Sequence, residues 1–235
     1  MNIDVLTPTQ MEAIDQRQIQ QQSDWKSIPP DGITVSFLES ELIVLPGVFP
    51  PKRDTQLLID TLDVRDADSI LDVGTGTGAL AIWAAHNSQA SIVAVDMSDA
   101  SVGNAKKNTE CYGFEDQIDV RKGDVYSSLS NNETFDVILA NLPGRNKPAS
   151  DDIAAAQWDT DFQAHRSLFS TANTHLRPGG RIYIVKANYP DLPEMIELAT
   201  SYSYQVKVIG KSDATENDPR IYYALSISSN SHGNL

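Results

Sequence analysis

The feature that most constrains the fold of this chain is an alternation of short apolar segments with helix-like ones across residues 69–187. Helix signals include Ser98 as a cap and Gly113 as a terminator. Strands that alternate with helices at this spacing form a parallel sheet covered on both faces. The predicted fold class is therefore α/β, with a Rossmann-like sheet. The predicted strands of its core are residues 69–73, 91–97, 117–124, 135–141 and 181–187.

The C-terminal part departs from this alternation. Residues 204–212 and 221–229 predict two further strands, separated by the polar segment "DATENDP". A connection of that length cannot carry a crossover helix, so we expect the two strands to form an antiparallel hairpin.

The N-terminal part predicts a smaller unit. Residues 11–22 predict an amphipathic helix with Ile14 and Ile19 on one side, with a frayed arm as the alternative. Residues 33–46 predict two short strands around a turn at 39–40. We therefore divide the chain into an N-terminal extension, a main domain and a tail, over residues 1–48, 49–230 and 231–235.

A glycine-rich loop, "LDVGTGTGAL", follows the first core strand. Its glycines, Gly74, Gly76 and Gly78, allow a tight turn, and the helix that follows presents unpaired N–H groups to a ligand. Gly74, Gly76 and Ala79 also match the relaxed dinucleotide pattern G-x-G-x-x-A. The loop alone therefore predicts a nucleoside-binding site without choosing between a nicotinamide cofactor and another nucleoside.

Aspartates lie at or near the ends of three successive strands. Asp72, two residues before the first glycine, would repel a pyrophosphate but suits a cationic or zwitterionic ligand. Asp96 can accept hydrogen bonds from both ribose hydroxyls, which fits either cofactor, and Asp124 can accept one from an adenine amino group. Each aspartate alone is as typical of a turn or a helix cap as of a ligand-binding site. Together, beside a glycine loop, they favour a nucleoside ligand.

Composition restricts the class of protein further. The chain has 235 residues, 40% of them hydrophobic, and no apolar run near the roughly 20 residues of a membrane span. Its N-terminus lacks the layout of a signal peptide, and one cysteine, Cys111, permits no internal disulfide and disfavours a cysteine-based metal site. A formal net charge of -14 disfavours a large nucleic-acid substrate. We therefore expect a cytoplasmic protein without a metal or a membrane partner.

The segments "LDVGTGTG", "VAVDMS", "GDVY" and "LRPGG", with the terminal hairpin, resemble those of class I S-adenosylmethionine-dependent methyltransferases. The segments "GVFPPKRDTQLLIDTL" and "NAKKNTECYGFEDQIDVRKGDVY" are similar to those of its small-domain branch, which contains release-factor glutamine and ribosomal guanine methyltransferases. The resemblance implies S-adenosylmethionine as cofactor, with S-adenosylhomocysteine as its product.

The resemblance also assigns residues to this cofactor. It implies Asp72 near the amino-acid end and Asp96 on the ribose. It places Asp124 and Val125 around the adenine, and it implies that residues 49–55 partly cover the cofactor. The predicted cofactor-binding residues are Phe49, Thr55, Asp72, Gly74, Thr75, Gly76, Gly78, Asp96, Met97, Asp124, Val125 and Asn141.

The fourth core strand ends in Asn141, Leu142, Pro143 and Gly144, where the resembled branch has Asn-Pro-Pro-Tyr. In that branch the asparagine and a backbone carbonyl accept hydrogen bonds from a planar amino group, which leaves the lone pair of its nitrogen free to attack. The resemblance therefore implies N-methylation, with Asn141, Leu142 and Pro143 as catalytic residues. Gly144 removes the aromatic wall that would stack on a glutamine amide or a nucleobase. Because Asn, Pro and Gly are common turn residues, a purely structural turn remains the alternative.

The loop and helix after this motif offer candidate substrate-binding residues. Trp158 can replace the missing aromatic or anchor the next helix, and Asp159 and Asp161 can hold a substrate ammonium or cap that helix. We expect His165 to be an exposed helical residue rather than a base. The predicted pocket residues are Gly144, Arg145, Trp158, Asp159, Asp161, His165 and Tyr189.

These observations predict a methyltransferase whose acceptor is a small molecule or an amino-acid-like amine, because the charge is acidic and no large recognition domain is evident. The alternative within the class is a protein side chain or an RNA base. From other classes, a nicotinamide-dependent dehydrogenase remains open through the G-x-G-x-x-A match. A non-catalytic cofactor-binding module remains open because the strand-end motif is altered.

Overall fold

The computed structural model describes residues 3–229, and a seven-stranded sheet forms its centre. The helices are α1 (Pro8–Lys26), α2 (Arg53–Thr61), α3 (Ala79–Asn87), α4 (Asp99–Tyr112), α5 (Asp152–Ala155), α6 (Gln163–His175) and α7 (Leu192–Ser201). The strands are β1 (Ile33–Phe37), β2 (Ser40–Val44), β3 (Ser69–Val73), β4 (Ser91–Asp96), β5 (Ile118–Lys122), β6 (Phe135–Ala140), β7 (Leu176–Ala187), β8 (Tyr204–Lys211) and β9 (Tyr222–Ser229).

The large sheet has the strand order β5-β4-β3-β6-β7-β9-β8. The pairs from β5 to β7 are all parallel, whereas β9 is antiparallel to both β7 and β8. The predicted α/β fold, with a mostly parallel sheet and a C-terminal antiparallel hairpin, is therefore confirmed. The predicted N-terminal helix and hairpin are also present, as α1 and the antiparallel pair β1-β2.

Helices cover both faces of the sheet, which explains why its central strands read as continuous apolar runs. Ile70 and Val137 belong to a core cluster with residues of α2, α3 and α4. Leu71 and Ile138, one position further along β3 and β6, belong to a second cluster with residues of α6 and α7. Successive side chains of a strand point to opposite faces, so both faces of these strands require apolar residues.

The strand order creates a crevice at the carboxyl end of the sheet. From β3 the chain continues to β4 and β5 on one side, and then returns to β6 on the other side of β3. In open α/β sheets, ligands bind outside the carboxyl ends of the strands at such a switch point. The glycine loop after β3 and the Asn141 motif after β6 therefore meet at the same place.

Two details differ from the sequence-based expectation. The helix α7 lies between β7 and β8, so the alternation extends one unit further than predicted; Leu192, Met195 and Ala199 bury its inner face. The prediction that Ile14 and Ile19 share a buried side of the N-terminal helix is wrong for Ile19, which is 55% exposed, whereas Ile14 is 2% exposed. Helix α1 buries only a narrow stripe of side chains, and Ile19 is not one of them. The buried residues are Ile14, Gln18, Gln22 and Trp25.

Buried asparagines attach the N-terminal hairpin to the sheet's helical layer. The side chains of Asn104 and Asn108 in α4 form hydrogen bonds with the backbone of Ile43 and Leu45. Asn108 also donates to the carbonyl of Thr77 in the glycine loop. The hairpin is therefore held against the loop that forms the candidate site.

The division into an extension over 1–48 and a main domain from 49 stays a prediction, and the tail over 231–235 lies outside the described residues. Within residues 3–229, none of the helices combines the length and apolar character needed to cross a membrane.

Candidate active site

A cavity of about 480 Å³ lies at the carboxyl ends of β3, β4 and β6. Its volume is within the range of small-ligand pockets, roughly 300–1,000 Å³. Five predicted site residues are not part of its lining: Asp72, Gly78, Arg145, Asp161 and His165. The predicted site residues that do line it are Phe49, Thr55, Gly74, Thr75, Gly76, Asp96, Met97, Asp124, Val125, Asn141, Leu142, Pro143, Gly144, Trp158, Asp159 and Tyr189.

The glycine loop forms one wall of this cavity because its backbone adopts a conformation that favours glycine. Gly74, Gly76 and Gly78 have φ values of 69°, 56° and 83°. The N–H groups of Gly74 and Thr75 both donate to the carbonyl of Val95, which fixes the loop to β4. Side chains at these positions would be strained, so the glycines are a requirement of this loop geometry.

Asp96 is held in a defined orientation at the end of β4. Its two carboxylate oxygens accept hydrogen bonds from the N–H groups of Gly76 and Ser98, at 3.0 and 2.9 Å. Burial raises the pKa of Asp96, and these backbone donors act in the opposite direction. Each oxygen retains a lone pair, so the carboxylate can still accept hydrogen bonds from two vicinal hydroxyls in the cavity.

Asp72 lies under the glycine loop and is fully buried. Its Oδ2 accepts a 2.6 Å hydrogen bond from the Thr75 hydroxyl, and its Oδ1 makes no hydrogen bond of normal geometry with the described residues. Burial raises the pKa of Asp72 to about 7, although the Thr75 hydroxyl and the N–H of Ala81 lower it. A buried carboxylate with an unpaired oxygen fits a ligand that brings positive charge, and it opposes a pyrophosphate.

The residues predicted around an adenine form the outer part of the cavity. Asp124 and Met97 are exposed there, whereas Val125 is buried. Val125 has φ of 46°, an unfavourable conformation for a β-branched residue. Such strain is concentrated at binding sites, where the surrounding structure enforces it.

Asn141 and Thr55, which the sequence placed in the same site, are in direct contact. The Nδ2 of Asn141 donates to the Thr55 hydroxyl at 3.1 Å. Thr55 is buried in the first turn of α2. Because the amide nitrogen is used in this way, the amide oxygen of Asn141 is left to accept a hydrogen bond from a substrate N–H.

Lys186, near the end of β7, is a site residue that sequence reasoning missed. Its Nζ donates to the carbonyls of Leu142 and Pro143 at 2.9 and 2.6 Å, and its side chain lines the cavity. Burial lowers the pKa of Lys186 to about 7. The Leu142 carbonyl, predicted to accept from a substrate amino group, therefore already accepts from a lysine. A lysine at the end of the apolar strand "RIYIVKA" was the signal for this role.

Gly144 has a steric explanation in the structure. A Cβ atom at this position would lie 3.0 Å from Cε2 of Tyr189. The Tyr189 ring is buried, and the guanidinium of Arg145 lies over it at 4.9 Å. An aromatic ring from the loop after β7 therefore occupies the space next to the motif.

The expectation that His165 is an exposed helical residue is wrong. The side chain is completely buried, and its Nδ1 is hydrogen-bonded to Asp159. Burial lowers the pKa of His165 to about 4, and the positive charge of Lys186 acts in the same direction. The ring packs between Phe162 and Phe169, which is why a polar residue at this helical position turns inward.

Asp159 and Asp161 have different roles. Asp159 accepts hydrogen bonds from the N–H groups of Ala164 and His165 and so caps α6. Burial acts to raise the pKa of Asp159, but its hydrogen bonds outweigh this, and the pKa lies below the usual value. The side chain of Asp161 is exposed and does not belong to the cavity or the cap, so neither of its predicted roles is supported by its position.

Helix α1 closes the side of the cavity that is lined by Trp158. Trp158 donates its indole N–H to Gln18, and Arg145 and Lys147 both contact Asp15, at 2.6 and 3.1 Å. Trp158 therefore serves both as an anchor for α1 and as part of the wall. The Arg145 guanidinium forms an ion pair with Asp15 in α1 and lies over the Tyr189 ring, and Arg145 does not line the cavity.

Comparison with known proteins identifies the family of this chain. The family model "Methyltransferase small domain" matches residues 39–212. The release factor glutamine methyltransferase of Bacteroides thetaiotaomicron is 30% identical over 66% of this chain and 62% of its own length. The ribosomal RNA small subunit methyltransferase C of Cronobacter sakazakii is 27% identical over 74% of this chain and 46% of its own length.

Comparison with solved structures also finds methyltransferases. The T. thermophilus 16S rRNA N2 G1207 methyltransferase, in complex with AdoMet and guanosine, has a TM-score of 0.60 at 25% identity and covers 84% of this chain and 50% of its own. The ribosomal protein L11 methylase of Lactobacillus delbrueckii subsp. bulgaricus has a TM-score of 0.58 at 25% identity and covers 77% of this chain and 82% of its own. The chain spans between 49% and 62% of the length of the first curated relatives. The match to the family model extends over most of the chain, which therefore belongs to the methyltransferase small domain family.

Proposed function

We propose that the protein is an S-adenosylmethionine-dependent methyltransferase that methylates a side-chain nitrogen of another protein. The observation that carries this proposal is the single cavity that joins the glycine loop, the fixed Asp96 carboxylate and the oriented Asn141 amide. When bound, S-adenosylmethionine supplies an electrophilic methyl group on a sulfonium and leaves as the neutral thioether. The buried Asp72 carboxylate lies under the glycine loop, outside the lining, and its negative potential next to the cavity favours a cofactor with positive charge over a pyrophosphate.

Residues of this chain would bind the cofactor, orient the acceptor and exclude water. Asp96 would hold the ribose hydroxyls, and the segment around Val125 would enclose the base. Asn141 would accept an N–H of the acceptor through its amide oxygen and so direct the nitrogen lone pair into the cavity. Helix α1 and Trp158 would keep water from the reacting atoms.

A protein acceptor is favoured over the small amine that the sequence suggested. The curated relatives named above are release factor and ribosomal RNA methyltransferases, which supports the macromolecular alternative. The small-molecule acceptor has one structural point in its favour, since α1 covers the substrate side through Gln18 and Asp15. A side chain on a flexible segment of a protein can enter a covered pocket of this kind as well.

A protein acceptor is also favoured over RNA. Two short basic segments are engaged in ion pairs within the protein: Arg145 and Lys147 contact Asp15, and Arg121 contacts Asp119 and Glu133. The formal net charge is -14. RNA binding depends on cations that are free to neutralise phosphates.

Methyl transfer from tritiated S-adenosylmethionine tests the proposal. The protein is incubated with an extract divided into proteins, total RNA and small molecules. We expect protease-sensitive label in the protein fraction. Nuclease-sensitive label, or label confined to small molecules, would replace the proposed acceptor. Calorimetry with S-adenosylhomocysteine and with NAD separates the cofactor classes, and binding of NAD alone would exclude the proposal.

Asn141→Ala tests the role of the strand-end motif. We expect turnover to fall on the order of 100-fold, because the acceptor nitrogen loses its orienting partner. Affinity for S-adenosylhomocysteine should change little. Asn146→Ala is a matched control, since Asn146 lies in the same loop but outside the cavity lining. Equal turnover in both variants would make Asn141 a turn residue only.

A further inference from the structure

We propose that Lys186 is the proton acceptor of the reaction, an inference that rests on the methyl transfer proposed above. A nitrogen that gains a methyl group gives up one proton. The strand-end motif supplies only hydrogen-bond acceptors around Asn141, and a carbonyl or an amide oxygen cannot take a proton at neutral pH. A basic group in contact with the acceptor is therefore required, or the proton passes directly to water.

The position of Lys186 suits this role. Its Nζ donates two hydrogen bonds, to the carbonyls of Leu142 and Pro143. Within residues 3–229 it has no third hydrogen-bond partner, and its side chain lines the same cavity as Asn141. The tetrahedral Nζ is bonded to its side-chain carbon and donates these two hydrogen bonds, so one of its four positions is left. That position carries a proton in the charged form and a lone pair in the neutral form.

The surroundings of Lys186 allow both forms near neutral pH. Burial lowers its pKa to about 7, and carboxylates on three packed elements oppose this shift: Asp159 before α6, Asp191 before α7 and Asp54 in α2. His165 of α6 also faces this group, but it is neutral, because its pKa is about 4. A base works best when its pKa lies near the operating pH.

Other titratable groups near the cavity are less suitable. His165 is not part of the lining. Asp159 is engaged by its hydrogen bonds to α6, and burial raises the pKa of Tyr189. Lys52 lines the cavity, but its ammonium lies over the rings of Trp25 and Phe49, at 5.0 and 5.2 Å from their centroids.

The lone pair of the acceptor nitrogen would form the new bond to the methyl carbon, and the pair of the broken C–S bond would stay on sulfur as the neutral thioether leaves. Neutral Lys186 would use its lone pair to bind a proton of that nitrogen, and the pair of the broken N–H bond would remain on the nitrogen. The cationic charge that the methyl donor loses reappears on Lys186. The ammonium then returns to the neutral form by releasing its proton to water.

Lys186→Arg tests whether Lys186 acts as a base or only holds the two carbonyls in place. Arginine keeps donors for the two carbonyls and keeps a positive charge, but it cannot be deprotonated in this pH range. We expect Lys186→Arg and Lys186→Met to lose at least about 100-fold in methyl transfer to the protein fraction. S-adenosylhomocysteine affinity, measured by calorimetry, should stay within threefold. Lys207→Arg, on an exposed position of β8, is the matched control and should be as active as the wild type.

Two further measurements test whether Lys186 acts as a base. The wild-type rate should rise with pH and level off above about 7, and the Lys186 Nζ signal in lysine-labelled protein with S-adenosylhomocysteine should titrate with the same midpoint by NMR. An arginine variant with wild-type rate and pH profile, or a lysine still charged at pH 9.5, would overturn the inference while the proposed function stands. If the wild type labels no protein, the proposed function fails first.

Discussion

Asp72→Asn should stabilise the ligand-free protein, although it replaces a residue of the glycine-loop motif. Asp72 is fully buried, and its pKa rises from 3.8 to about 7. The folded state therefore binds a proton that the unfolded state has released between about pH 4 and pH 7. Stability from this group is fully present below pH 4 and is lost as the pH rises through 7. The shift corresponds to at most about 4 kcal/mol of unfolding free energy at pH 8.

Asparagine cannot ionise and can still accept the Thr75 hydroxyl, so the variant avoids this loss. About 2 kcal/mol of the difference from wild type should develop between pH 5.5 and pH 8. Urea unfolding followed by tryptophan fluorescence across this pH range measures it. Asp60→Asn, on an exposed position of α2, is the control and should show no such trend. A stability difference that does not change with pH, or that favours the wild type at pH 8, would refute a buried, unpaired carboxylate.

Two further substitutions test the geometry of the site. Gly144→Ala places a methyl group 3.0 Å from the Tyr189 ring and should cost roughly 1–3 kcal/mol in urea unfolding and lower turnover. Gly103→Ala, in α4 with open space around it, should instead stabilise by up to about 1 kcal/mol; a neutral result at Gly144 would show that Tyr189 moves freely. Asn108→Ala leaves buried backbone groups of β2 and of the glycine loop unpaired and should cost about 2–4 kcal/mol. Asn87→Ala, an exposed helical asparagine, is the control, and an equal loss in both variants would contradict the bridging role.

The sheet could be predicted because each strand can be recognised from its own short stretch of sequence. Strands β3, β4 and β6 and the second half of β7 are mostly apolar, β5 alternates apolar and polar residues, and turn or cap residues follow these strands in the sequence. The part of the candidate site that we propose for the cofactor could be predicted for the same reason. Gly74, Asp96 and Asp124 each sit at a strand end, and parallel strands bring their carboxyl ends to one edge.

The part of the candidate site that we propose for the acceptor could not be predicted, because its contacts join distant parts of the chain. Tyr189 fills the space beside Gly144 across 45 positions of sequence, and Lys186 reaches Leu142 across 44. His165 was predicted to be exposed, whereas its side chain is buried and hydrogen-bonded to Asp159. Hydrogen bonds that satisfy a buried polar group leave no periodic signal.

These long-range contacts also bear on whether the altered motif still serves catalysis. Compared with Asn-Pro-Pro-Tyr, the chain has lost a proline and an aromatic, which taken alone suggests a module that binds a cofactor without using it. The structure places a different group at each of the two changed positions: Lys186 on the carbonyl of Leu142, and the Tyr189 ring against Gly144. Both come from the end of β7 and the loop that follows it. A buried lysine and a buried ring therefore contact the two altered positions of the motif, which favours a working acceptor site over a module that only binds a cofactor.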